Sequence, residues 1–511
     1  MTQLSVPWKP RAQEHNRGVA GLVAGIAKAT YAALAPIVRA SPGAIMLGAV
    51  VTVILGVWAT YLLFEFVDTA LIGAATNSTT ESGLLGGPLS LSELSAGLLE
   101  AGVPAAGVLC YLLYPFQYSI VRDLFGLGGV IGFISIIPLY TIWWERKVAG
   151  RIQSRMGPMR VGGWHGWSQS IADGLKLICK EDLCPASADR PLFKLAPYVA
   201  FVPAILAFFA LPFGTYWVFR QLDVALVFIL AMLGIEVLGV ILAGWASNNK
   251  WSVYGAMREA CQMVSYEIPM GMALLIPIMA VGSLSLTIVG DAQSGGWTTW
   301  IIFRNPFTFA AGVGYYVASL ASCKRAPFDL PESDSELVAG FHTEYSGFRW
   351  SLFFFAEYAA MFVVSGLCVI LFLGAWYSPL PMSWADSLSD SLLARAVKGV
   401  LFAGPLWFIA KCVFLIYVQI WIRWTLPRLR IDQVLYVCVQ VMLPLMMLLL
   451  LGHTLYELFV PVGGVVWTVL NLLLSLIGAA VMIGMLFVAS YGLWNRRRLV
   501  GYLGREMLPG S

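Results

Sequence analysis

Glu236 stands in the middle of the apolar run 224–246. An acid at the centre of a membrane helix costs on the order of 3 kcal/mol, and each good apolar residue returns only about 0.3–0.6 kcal/mol. Glu267 opens the next apolar run, Glu357 lies within the run 350–376, and Lys411 is a lone cation within the run 399–422. Ionisable groups inside apolar segments point first to proton or ion transfer. A satisfied structural hydrogen bond is the alternative for Glu236, and for Lys411 snorkelling or a structural pair stands level with function.

A second group of acids sits on 323–349, which begins Cys323-Lys-Arg-Ala-Pro-Phe-Asp-Leu-Pro-Glu332-Ser-Asp334-Ser-Glu336. Asp329, Glu332, Asp334, Glu336 and Glu344 face three cations there. The spacing of Glu332 and Glu336 is one helical turn, so a helix would put both carboxylates on one face and raise one pKa. Such a cluster can hold and pass protons at neutral pH; a solvated acidic loop is the plainer reading. Arg258, Gln262 and Tyr266 recur at helical spacing beside a stripe of Glu259, Met263 and Glu267, which suits a wet cavity or a partner surface. Pro269 follows and frees a carbonyl near Ser265.

The elements that must carry these groups are membrane helices. Of 511 residues 59% are hydrophobic and 12% charged, with a mean hydropathy of +0.78. Soluble domains carry about 25% charge, and disordered chains are poor in apolar residues, so the composition leaves a polytopic membrane protein. Ten apolar runs are long enough or nearly so: 44–67, 127–144, 195–218, 224–246, 268–289, 307–322, 350–376, 399–422, 434–452 and 464–490. With ten spans both termini fall on one side, and the segments on that side hold 26 Lys and Arg against five on the other. By the positive-inside rule both termini and the segments 145–194 and 323–349 are cytoplasmic. The first run starts too far in for a cleaved leader.

The segment 145–194 is basic and glycine-rich, and its second half predicts a helix with Trp167, Ile171, Leu175 and Ile178 on one face. It reads either as a topology-setting loop or as an interfacial docking surface for cytoplasmic protein. Residues 1–43 are basic, 73–90 are loop-like, and Leu89, Leu91, Leu94, Leu98 and Leu99 suit a short interfacial helix or plain packing. The cysteines and the four histidines show no metal-ligand spacing, no iron–sulfur run and no haem pair, so no metal and no resident redox centre is expected. A net charge of +4 gives no reason to expect a nucleic-acid partner.

Several stretches resemble the H-type membrane subunit of the proton-pumping NADH:quinone oxidoreductase, respiratory complex I. They are Glu145-Arg-Lys-Val-Ala-Gly-Arg-Ile-Gln153, Gly157-Pro158, Ala172-Asp173-Gly-Leu-Lys176, Lys180-Glu-Asp182, Met263-Val-Ser-Tyr-Glu-Ile-Pro269, Ala326-Pro-Phe-Asp-Leu-Pro-Glu332 and Gly340-Phe-His-Thr-Glu-Tyr-Ser-Gly347. The resemblance places eight of the ten spans of this all-α transmembrane bundle in a family core over 119–452; the flanks 1–118 and 453–511, with one extra span each, have no counterpart in the shortest family members. It implies a quinone entry tunnel and chamber, with quinone as substrate and NADH, flavin and iron–sulfur clusters in partner subunits. Those partners include the quinone-site and terminal-cluster subunits of the hydrophilic arm and neighbouring small membrane subunits, all at a bacterial cytoplasmic membrane.

Carried over residue by residue, the proton path falls on Glu236, Glu267, Asp329, Glu332, Asp334, Glu336 and Glu344. Arg151, Arg155, Arg160, Arg258, Gln262, Tyr266 and Phe328 fall on the quinone cavity or partner contacts. The chain departs from the family pattern at Met159, at Gly163, by one extra residue near His165, at Asp334 for the usual Glu, at Ile431 for Tyr, and at Gln440 for Lys. Two rivals remain from sequence: the equivalent component of a membrane-bound hydrogenase or ferredoxin-fed complex, and a stand-alone proton transporter. The missing internal repeat speaks against the latter.

Overall fold

A computed structural model describes residues 119–162, 165–215, 217–380 and 404–460, together with 464, 468–474 and 476. The run 44–67, the leucine-bearing stretch 89–99, the side chain of Asp334 and most of the run 464–490 lie outside the described residues. All secondary structure among the described residues is helical. The long helices are α1 (Ser119–Ile152), α3 (Arg190–Ala210), α4 (Ala225–Ala246), α5 (Lys250–Val281), α7 (Pro306–Ser322), α9 (Gly347–Phe372), α10 (Gly404–Thr425) and α11 (Ile431–Phe459). Shorter helices are α2 (Gln169–Cys179), α6 (Leu286–Asp291) and α8 (Asp334–Leu337).

Seven of these helices have the length and composition to cross a membrane. The remaining long one, α7, has 17 residues, or roughly 26 Å at 1.5 Å per residue, at the lower limit for a span. The eight long helices correspond to eight of the ten apolar runs, so the polytopic all-α class stands. Residues 158–168 are a separate turn-rich piece, in which Trp167 Nε1 donates to Gly162 O at 2.9 Å.

The helix α9 is buried along nearly its whole length, packed against α1, α3, α7 and α10 among others. Around it the other helices keep one face inward and expose apolar side chains outward, as Val227, Leu238 and Trp245 do on α4. That is the arrangement expected of helices solvated by lipid or by neighbouring proteins. Asn305 caps α7 in a reciprocal box with Thr308, and Asn249 caps α5 by accepting from Trp251 N.

Three expectations need correction. The run 268–289 belongs to a helix that begins at Lys250, so Glu267 lies inside α5 rather than at its start. The polar stripe before it does not end the helix, because Glu259 and Gln262 are buried against protein. The loop expected from Glu145 onward begins only after Ile152, because Glu145 is buried among cations and tolerated within α1. Finally, Glu332 precedes α8 and does not share a helical face with Glu336.

Candidate functional site

The turn after α7 delivers two adjacent cations into the bundle. Lys324 and Arg325 are 5% and 1% exposed, among the most buried charges in the described chain. They point to different sets of acids. Lys324 Nζ lies 3.5 Å from Glu236 Oε1 on α4 and 3.5 Å from Glu259 Oε1 on α5. Arg325 Nη1 lies 3.0 Å from Glu145 Oε2 on α1, and its Nε lies 2.8 Å from Glu357 Oε1 on α9. The Arg325 guanidinium also covers the ring of Tyr358 at 4.5 Å, and Tyr358 donates to Glu145 at 2.6 Å. Arg423 on α10 donates to the other oxygen of Glu145 at 2.7 Å.

The segment after Arg325 closes the cluster. Arg428 Nη2 donates to Asp329 Oδ2 at 2.8 Å, and Glu332 pairs with His342 Nε2 at 3.0 Å. Gly340 makes the second contact possible. Its φ is +54°, and a Cβ there would collide with Pro331 O, so this return of the chain requires glycine.

The electrostatics follow from this packing. Burial opposes the charge on Lys324, but Glu259, Glu236 and Glu332 outweigh it and hold its pKa above the ordinary lysine value. Burial first, then the negative neighbour Glu332, raises Asp329 to about 6 against the pull of Arg428. Burial acts in the same sense on Glu332, yet His342, Lys324 and Arg325 overcome it and keep that carboxyl below its usual range. Glu145, Glu236, Glu259, Asp329, Glu332 and Glu357 thus face Lys324, Arg325, Arg423, Arg428 and His342. Carboxylates outnumber fixed cations, so the cluster is electrically balanced only when it also holds protons. Glu259 Oε2, Gln262 Oε1 and Asp329 Oδ1 are buried and accept no hydrogen bond from the described residues.

Of the residues named from sequence, Glu236, Asp329 and Glu332 meet in this cluster. Glu336 is exposed and pairs with Arg258 at its edge. Glu344 accepts from Asn249 Nδ2 at 2.6 Å and so braces the N-terminus of α5. Glu267 lines a small, partly open cleft with Leu233, Met263, Tyr266, Met270 and Ser322. Gln262 donates to Ala321 O at 2.8 Å, and Tyr266 and Phe328 are buried. Arg151, Arg155 and Arg160 are exposed. Glu145, Glu259, Lys324, Arg325, His342, Arg423 and Arg428 join the cluster without having been expected on a proton path, and Glu357 joins it as an acid expected only from its apolar run. Glu145 opens one of the distinctive motifs, Lys324-Arg325 immediately precede another, and Glu357 lies within an apolar run.

Comparison with known proteins decides the family. The NADH dehydrogenase family matches residues 126–454. The chain belongs to the H-type subunit family of NADH-quinone oxidoreductases. The H-type subunit of the NADH-quinone oxidoreductase of Chlorobium luteolum is 44% identical over 332 residues, covering 64% of this chain and 87% of that protein. Its counterpart in Chlorobaculum parvum is 45% identical over 331 residues, 63% and 90% respectively. That of Anaeromyxobacter dehalogenans is 40% identical over 374 residues, 72% and 89%. Membership makes the chain a membrane subunit of an NADH:quinone oxidoreductase, an integral membrane component of an oxidoreductase complex.

Proposed function

We propose that this subunit couples quinone reduction to proton movement through the cluster built on Lys324 and Arg325. Quinone reduction adds two electrons and takes up two protons to give quinol. The negative charge that appears during reduction favours protonation of nearby carboxylates and draws protons toward the reacting oxygens. The buried acids around Lys324 and Arg325 are the groups whose shared protons respond, and Glu236 and Glu267 carry the response into the membrane part. One change of charge then favours one arrangement of protons and side chains over another, which is a two-state electrostatic switch.

The observation that carries this reading is the excess of buried carboxylates over cations in one connected cluster, with acceptor atoms left open on Glu259, Gln262 and Asp329. A chain that must insert in a membrane gains nothing in stability from so many buried acids. Their presence is explained by proton transfer. Asp334, Glu336 and Glu344 belong to the approach to this cluster, and Gln262, Tyr266 and Phe328 to its wall. Arg151, Arg155 and Arg160 are contacts for the quinone-site and terminal-cluster subunits of the hydrophilic arm. The apolar face of α2, where Ile171, Leu175 and Ile178 are exposed, borders the quinone entry at the bacterial cytoplasmic membrane, with both chain termini in the cytoplasm. NADH, flavin and iron–sulfur clusters belong to partner subunits.

The test is Glu236→Gln in membranes that contain the assembled complex. The expected outcome is normal assembly with proton-coupled quinone reduction lost. Full proton-coupled turnover in that variant would remove Glu236 from the path.

A further inference from the structure

The last carbonyls of a helix have no partner within the helix and carry partial negative charge. In a membrane interior they must be satisfied by protein. Beyond the end of α9 the chain turns sharply at Gly374 and Ala375, with φ of +73° and +40°. A Cβ at Gly374 would collide with the indole of Trp300, and a left-handed alanine is uncommon. The turn caps α9, with Ala375 N donating to Val369 O at 2.9 Å and Gly374 N to Gln293 Oε1 at 3.0 Å, and it also gathers carbonyl oxygens around one point. The Lys411 Nζ of α10 sits there, 2.7 Å from Leu373 O, 3.2 Å from Gly374 O, 3.1 Å from Ala375 O and 2.7 Å from Tyr377 O. The Trp300 ring lies to another side, its centroid 4.4 Å away.

Four of these partners are carbonyl acceptors and the fifth is the face of the Trp300 ring; no carboxylate is among them. A neutral amine would have to turn its lone pair toward an oxygen. A species with no lone pair, an ammonium or a bare monovalent cation, suits every neighbour. We infer that the turn 373–377 is a carbonyl cage for a monovalent cation, filled in this chain by the tethered ammonium of Lys411. Lys411 is thereby a positioning residue. It fastens α10 to the end of the buried helix that presents Glu357 to Arg325, and this holds whatever the electron donor of the complex is.

The experiment uses the purified complex carrying Lys411→Met, which keeps an unbranched side chain and empties the cage. Its melting transition should fall by several degrees. Methylammonium chloride, small enough to enter and able to donate, should restore most of the loss. Tetramethylammonium chloride at the same concentration should not, and the unsubstituted complex should respond equally to both salts. An unshifted Lys411→Met complex, or equal effects of the two salts on it, overturns the cage. Lys411→Arg covers the case in which Lys411→Met does not assemble. A planar guanidinium cannot meet four converging carbonyls, so the cage requires reduced assembly or a lowered melting transition. Assembly and melting of Lys411→Arg indistinguishable from the unsubstituted complex overturn it as well.

Discussion

Lys324 holds two carboxylates from two helices at equal distance, and that symmetry makes it the most informative single residue to change. Removing one partner of a buried ion pair costs about 3–5 kcal/mol unless the stranded charge is neutralised. Glu236 and Glu259 can each neutralise by binding a proton, so Lys324→Met should trap protons there. We expect reduced but measurable assembly and at least a tenfold loss of coupled quinone reduction. Adding Glu259→Gln to Lys324→Met should recover part of the assembly, with a coupling energy of about 1–3 kcal/mol for groups in direct contact. Strict additivity of the two changes would show that the pair does not interact. Asp329 supplies a pH dependence. Its carboxyl is raised to about 6 by burial and by Glu332, while an unfolded Asp titrates near 3.9. The folded state therefore holds this proton more tightly. The stabilising contribution is complete below about 4 and is lost as pH rises through about 6. Thermal stability of the complex should carry a declining component over that window, and Asp329→Asn should flatten it. An unchanged profile in Asp329→Asn would assign the slope to another group.

At the scale of elements, two devices hold the acids in place. The first is the return of 331–342 on Gly340, which puts His342 against Glu332. Gly340→Ala must shift Pro331 or abandon the left-handed turn, at a cost of about 1–3 kcal/mol. The expected result is an assembled complex with several-fold lower turnover, and normal turnover would mean that the Glu332–His342 pair can be remade. The second is α9, buried nearly all round, which can present Glu357 only because Arg325 answers it. The one-turn spacing of Glu332 and Glu336 suggests a shared helical face. The structure gives them different partners, because Pro331 and the short α8 leave Glu332 outside the helix. In the same way, the polar stripe before Pro269 reads as the approach to a span. It is part of α5 because its charges are paired with residues more than sixty positions away.

For the whole molecule, the sorting of cations predicts that single cysteines placed near residue 10 and near residue 505 of a cysteine-poor variant react only from the cytoplasmic side. Labelling of either one from the opposite face would break the assignment of an even number of spans. Features that depend on local composition and order are legible along the chain: membrane helices, their approximate positions, the family through its motifs, and Glu236 as an acid in an apolar run. Hydrophobic length and the cost of charge in lipid act on contiguous segments, so they can be read in one dimension. The pairing of charges emerges only in three dimensions. Arg325 meets Glu145 across 180 positions and Arg423 meets Glu145 across 278, while Lys411 finds carbonyls rather than an acid partner. Whether a buried charge is a proton carrier, a counter-ion or a clasp depends on what lies within a few ångströms of it, because electrostatic energy in a low-dielectric interior falls off with distance in space and takes no account of separation along the chain.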